Sequence, residues 1–287
     1  MDPTGPCSVV IATCDRRASL LHTIERLVAL PEQPAVIVVD NGSSDGSAEA
    51  VRSAFPEIDV VALDRNLGAP ARNIGVRRAE TPYVAFADDD SWWAPGALAR
   101  AADLFDAHPT LGLIGARILV GAEEREDPTT AVMAASPLAA PPGLPGPAVL
   151  GFLACGAVVR RSAFLEVGGF DELLFFLGEE QRVALDLAAG GWHLTYDHTV
   201  VAHHHPSPPG DPVSRRRRQL RNDVLTAWLR RPARVAVART ASLVSAALRG
   251  DRTAGGALGE VLVHLPRACR SRAPVPHDVE FAVRALE

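Results

Sequence analysis

Val84-Ala85-Phe86-Ala87-Asp88-Asp89-Asp90 is a strand-forming run that ends in three consecutive carboxylates. Clustered aspartates at a strand end suit a hard divalent ion such as Mg²⁺ or Mn²⁺, and such an ion often carries a diphosphate. The alternative is a solvated acidic turn, because Asp is common in turns. What precedes and follows the run decides between the two.

Upstream, strands and helices alternate. Residues 8–13 and 35–39 are short apolar, β-branched runs of the kind buried in parallel sheets. Helical spacing of Leu20, Leu21, Ile24, Leu27 and Val28 predicts a helix over 17–30. Further helices are expected over 47–55, 69–79 and 95–107, and further strands over 59–63, 82–87 and 113–120. Repeated βα units of this length favour a mostly parallel sheet flanked by helices. The stretch 122–147, rich in Pro, Ala and Gly, reads as a mobile loop bordering a site or as an irregular insertion. A strand is expected over 149–160, helices over 162–167 and 179–189, and two short strands over 193–196 and 199–202. Three helical stretches follow, over 215–230, 233–248 and 254–270. The division expected is a catalytic domain over 1–210 and a basic helical extension over 211–287.

In open α/β sheets, ligands bind beyond the carboxyl ends of the strands. Three ends here are polar: Thr13-Cys14-Asp15, Asp40-Asn41-Gly42 and Asp88-Asp89-Asp90. Side by side they would form a nucleotide site lined by Thr13, Asp15, Asp40, Asn41, Asp88 and Asp89. Asn66-Leu67-Gly68 then opens a helix that carries Arg72 in its first turn, which makes an anion site.

With these pieces in place, the chain resembles a family 2 glycosyltransferase of the GT-A fold. The matching segments are 9–13, 39–47, Arg65-Asn66-Leu67-Gly68 with Arg72-Asn73, Asp88-Asp89-Asp90 with Trp93 and Pro95, Gly168-Gly169-Phe170-Asp171-Glu172, and Glu179-Glu180 followed by Gly191-Trp192. The resemblance implies that Thr13 and Asp40 line the nucleoside pocket with Arg72 nearby. It makes Asp88 and Asp90 a metal-binding DXD-type pair for Mn²⁺ or Mg²⁺, and His203 a late histidine that reaches the metal. Glu180 aligns with the catalytic base, with Glu179 beside it. The implied reaction moves a sugar from a nucleoside diphosphate to a hydroxyl of a glycan, a lipid-linked intermediate or a small molecule, with inversion. Three departures stand out: Glu180 where Asp is commoner, Cys14 where an aromatic is usual, and Arg182 where an acid is frequent.

Rival classes fit less well. A nucleotidyltransferase would carry a Gly-rich loop after its first strand, and Cys14-Asp15-Arg16-Arg17 lacks it. A Rossmann dehydrogenase would carry Gly-x-Gly-x-x-Gly. A catalytically inactive nucleotide-sugar-binding protein could keep the fold, but Asp88, Asp90 and Glu180 are intact.

Of the 287 residues, 47% are hydrophobic, the ordinary proportion of a globular chain. Net charge is −5, yet 15 arginines face six carboxylates from Pro212 onward. A basic tail on an acidic body suggests contact with something anionic. A solvated helical appendage and an interfacial segment on anionic lipid are both open, while no nucleic-acid module is present. Four scattered cysteines imply a reducing compartment. With no basic-then-apolar leader at the start and no apolar run of membrane length, a cytoplasmic place is expected, with peripheral membrane contact at most.

Overall fold

The computed structural model describes residues 5–206 and 211–287. The expected domain boundary at 210, the prolines at 208 and 209, and the first four residues of the chain lie outside the described residues.

In chain order the elements are β1 (Cys7–Thr13), α1 (Arg17–Val28), β2 (Ala35–Asp40), α2 (Ser47–Ala54), β3 (Asp59–Ala62), α3 (Ala71–Arg78), β4 (Tyr83–Ala87), β5 (Ser91–Trp93), α4 (Ala97–Ala107), β6 (Leu111–Val120), β7 (Arg125–Glu126) and α5 (Pro128–Ala134). There follow β8 (Ala157–Arg160), α6 (Arg161–Glu166), α7 (Glu179–Ala189), β9 (His193–His204), α8 (Pro212–Arg230), α9 (Ala233–Leu248), α10 (Arg252–Arg270) and α11 (His277–Ala285).

One sheet runs in the order β3-β2-β1-β4-β8-β6-β9-β5, with β7 beside β6. The first four strands are mutually parallel. Strand β8 then runs antiparallel to both β4 and β6. The observed fold is α/β of the expected kind, a mixed, mostly parallel sheet flanked by helices, with a helical C-terminal region. Strands β1 and β4 are buried on both faces, which explains why they read as unbroken apolar runs rather than as alternation. One face packs Leu20, Ile24, Leu27, Leu98 and Phe105 from α1 and α4. The other packs Val76, Phe164, Phe170, Val183 and Leu187 around α3, α6 and α7.

Several expectations are corrected. The two short strands near 193–202 are one strand, β9, whose register slips between Ala116 and Arg117 of β6. At the slip, Asp197 Oδ1 accepts from Thr199 N at 2.8 Å, a local turn that the alternation pattern could not carry through. The strand expected over 149–160 is only β8; a 3-10 turn over Ala154–Gly156 precedes it. The supposedly irregular 122–147 holds β7 and α5, because Asp127 caps the helix (Thr129 N to Asp127 Oδ1, 2.8 Å) with Pro128 in its first turn.

Helices α8, α9 and α10 pack together around Val224, Leu225, Leu229, Leu243, Ala257 and Val261. The same cluster takes in Leu173 and Leu174, which lie just before α7. Helix α11 covers Leu185 of α7 with Val279 and Val283.

Candidate active site

Register fixes the centre of the site. Thr13 pairs with Asp40, and Ile11 with Ala87, so the carboxyl ends of β2, β1 and β4 stand side by side. Thr13 Oγ1 donates to Asp89 Oδ2 at 2.9 Å. Asp40, 3% exposed, turns the chain by accepting from Ser43 N at 3.0 Å. Asn41 reaches the next loop instead of a pocket: its Oδ1 accepts from Leu67 N at 3.0 Å and its Nδ2 donates to Gly68 O at 3.2 Å. Asp15, at φ +53°, is exposed and engaged by Ser44, whose N and Oγ donate to Asp15 Oδ1 at 2.7 and 3.0 Å. It ties the β1 and β2 turns together.

The aspartates differ in surroundings. Asp88 pairs with Arg72, which is buried at 5% exposed. Asp89 is held by burial with its carboxyl pushed up to about 6, against the opposing Thr13 hydrogen bond and Arg16 charge. Asp90 Oδ2 meets Arg16 Nη2 at 2.8 Å, and Asp90 Oδ1 stands 3.4 Å from His204 Nε2. Arg16 also stands 3.3 Å from Asp89. Sequence reasoning missed Arg16, although its position three residues after the β1 end was a signal.

Helix α3 and the loop before α7 close the other side. Gly68 has φ +70°, and a Cβ there would meet Phe175 O at 2.3 Å, so only glycine lets the two loops touch. Asn73 clamps the Gly168-Gly169 turn through two bonds, Phe170 N to Oδ1 at 2.9 Å and Nδ2 to Phe170 O at 2.8 Å. Arg182, the departure from the acidic position, stands 3.0 Å from Asp186 and 3.6 Å from Asp171. It therefore fastens the same turn to α7.

Glu179 and Glu180 open α7 after Gly178. Burial foremost, then the neighbouring Glu180 charge, pushes the Glu179 carboxyl up to about 8. Burial also raises Glu180. Burial works to lower the Arg72 guanidinium, but Asp88, Glu179 and Glu180 together outweigh it and hold it above its ordinary value. Asp88 and the later glutamates thus act on one buried arginine, while Asp89 and Asp90 are held by Arg16.

The histidines sort by strand alternation. His203 pairs across from Trp92 and His204 from Ser91, so they face opposite ways. His203 stacks on Trp92 and lies 3.3 Å from Glu124. His204, not the expected His203, is the histidine brought to the aspartates. Burial would lower the His204 imidazole, but the Asp90 hydrogen bond and charge hold it above the usual value. One ligand atom each from Asp88, Cys155 and His204 lies within 4.8 Å of the others. A carboxylate, a thiol and an imidazole are donors that fit a divalent ion.

The sequence profile described as glycosyl transferase family 2 matches residues 8–168. The pre-mycofactocin glycosyltransferase of Mycobacterium tuberculosis is 29% identical over 88% of this chain, which spans 59% of that protein's length. The N-acetylglucosaminyl-diphospho-decaprenol L-rhamnosyltransferase of the same organism is 27% identical over 74% of this chain and 80% of its own. Among solved structures, a mannosyltransferase of Pyrobaculum calidifontis in complex with GDP-Man and Mn²⁺ superposes with a TM-score of 0.59 at 20% identity, over 99% of this chain and 87% of that one. That likeness shows the shared GT-A fold. The strand-end aspartates, the clamped glycine turn and the profile match lead to one conclusion: this chain belongs to glycosyl transferase family 2.

Proposed function

We propose that the protein moves a hexose or deoxyhexose from a nucleoside diphosphate to an acceptor hydroxyl, with metal assistance and inversion at the anomeric carbon. The observation that carries this reading is the ion pair of buried Arg72 with Asp88 at the end of β4, with the charges of Glu179 and Glu180 acting on the same guanidinium. Thr13 and Asp40 border the nucleoside end. Arg72 supplies fixed positive charge beside Asp88, where a diphosphate would lie.

Asp88, Asp90 and His204 would hold a Mn²⁺ or Mg²⁺ ion, which when bound neutralises the departing diphosphate. Glu180, half-buried and facing the same arginine, takes the proton from the acceptor hydroxyl. Burial raises its carboxyl above the ordinary value. Burial favours the neutral form of Glu179, which weakens it as a nucleophile and favours a single displacement over a covalent intermediate. Recovery of the donor's anomer in the product would overturn the inverting assignment.

The rhamnosyltransferase relative is named for a decaprenol-linked acceptor, which supports a lipid-linked acceptor beside a glycan or a small molecule. Thermal-shift measurements with nucleoside diphosphates and their sugars, with and without Mn²⁺, test the reading. Asp90→Ala is expected to remove the metal-dependent part of the shift. Glu180→Gln is expected to keep the shift and reduce transfer by at least about 10²-fold. Normal turnover in Glu180→Gln would remove Glu180 from the role of base.

A further inference from the structure

Cys155 is the group in the cleft that sugar transfer does not use. It sits in the 3-10 turn before β8, 6% exposed, and carries no disulfide. The turn is packed tightly onto β6: a Cβ at Gly156 would meet Ile118 Cγ1 at 2.5 Å. This fixes the thiol toward the ends of β4 and β9. Sγ, a carboxylate oxygen of Asp88 and a ring nitrogen of His204 lie within 4.8 Å of one another. The three residues come from segments far apart in sequence, so the meeting is a product of the fold. Asp90 adds a second carboxylate beside His204.

The donor set matters because thiolate and imidazole favour Zn²⁺ and Co²⁺, whereas Mg²⁺ takes oxygens. We propose that Cys155, His204 and Asp88 form a binding site for a thiophilic divalent cation, Zn²⁺ or Co²⁺, in the same cleft as the hard ion of transfer. The cation forms a metal–sulfur bond, the thiol S–H bond breaks, and its proton leaves to solvent; nothing is oxidised or reduced. Zn²⁺ held here takes up Asp88 and His204, which the hard ion of transfer would also need, so Zn²⁺ inhibits transfer. Only this last consequence rests on the transferase reading.

The test is titration of the nucleotide-free chain with Co²⁺. A thiolate on tetrahedral cobalt gives a near-ultraviolet charge-transfer band and strong visible d–d bands. Both are expected to saturate at about one equivalent, to vanish on adding Zn²⁺, and to be lost in Cys155→Ser and in His204→Ala. Cys14→Ser and Cys269→Ser are expected to retain them. Cys155→Ser should still show the Mn²⁺-dependent thermal shift with a nucleoside diphosphate, and should need at least about tenfold more Zn²⁺ for inhibition. Absence of the charge-transfer band, or its survival in Cys155→Ser, overturns the proposal. If the bands depend on Cys155 but no nucleoside diphosphate binds with Mn²⁺, the cation site stands and the transferase reading falls.

Discussion

Glu179 is 1% exposed, and its Oε2 meets no hydrogen-bond donor among the described residues. Burial therefore favours its neutral form, lifting the carboxyl from 4.5 to about 8. The folded chain holds this proton where the unfolded chain has lost it. Its contribution to stability is thus complete below about pH 4.5 and is lost as pH rises toward about 8. Glu179→Gln keeps the shape and removes the titration. The melting temperature of the metal-free variant is expected to fall less between those two pH values than that of the parent chain, as calorimetry across the range would read. An equal fall in both would mean that Glu179 is already ionised in the fold. The individual candidate residues stand out in the sequence to different depths. Asp88, Asp90, Arg72 and Glu180 stood in short motifs whose spacing survives folding. The choice between His203 and His204 depends on which face of β9 each takes, and a run of three histidines does not mark its own register. Cys155 had no motif at all, since only the turn over Ala154–Gly156 delivers it.

The segment that carries the glutamates into the cleft is held in unusual backbone. Phe175 and Leu177 have φ of +61° and +71°, conformations that non-glycine residues adopt at a cost. Asn222 of α8 stabilises them: its Nδ2 donates to Leu174 O, Phe176 O and Leu177 O at 2.9, 3.0 and 2.6 Å. Arg221 adds a bond to Leu174 O at 2.7 Å and one to Asn222 Oδ1 at 2.9 Å. Helix α8 is therefore a positioning element for Glu179 and Glu180. Asn222→Ala strands buried carbonyls and should cost about 1–3 kcal/mol. Its kcat is expected to fall while affinity for a nucleoside diphosphate, proposed to bind at the ends of β1, β2 and β4, holds. Leu225→Ala, in the same helix and cluster, is the comparison: similar loss of stability without the kcat effect. Equal kcat in both would make Asn222 merely structural. The βα half was readable because buried parallel strands are continuous apolar runs. Strand β5, three residues long, and α11, which begins after Pro276, were not, being too short or too weakly patterned to show a period.

The C-terminal helices share their core with the loop before α7 and with α7 itself through Leu173, Leu174 and Leu185. A chain ended at residue 206 would expose these leucines, each worth about 1.5–3 kcal/mol of burial. It is expected to melt without a cooperative transition and to be cut by protease within 171–178. Several arginines of the tail are engaged by carboxylates of the tail itself, and Arg230 and Arg267 by Asp186 and Glu172 outside it. Arg216 meets Asp251 at 2.6 Å, Arg217 meets Glu260 at 3.0 Å, and Arg231 meets Glu280 at 2.6 Å and Glu287 at 2.9 Å. Among the described residues no helix is long and apolar enough to cross a membrane. Flotation with anionic vesicles is expected to show at most weak association at low salt, vanishing at high salt. Strong binding that persists at high salt would place apolar insertion, not charge, in control. Trp92, 6% exposed, lies two residues after Asp90, with its ring 4.6 Å from that of His205 and 5.8 Å from that of His203. An indole between imidazoles beside the aspartates is a native fluorophore with its quenchers already in place, so changes in its emission would give occupancy of the cleft an optical signal without any label.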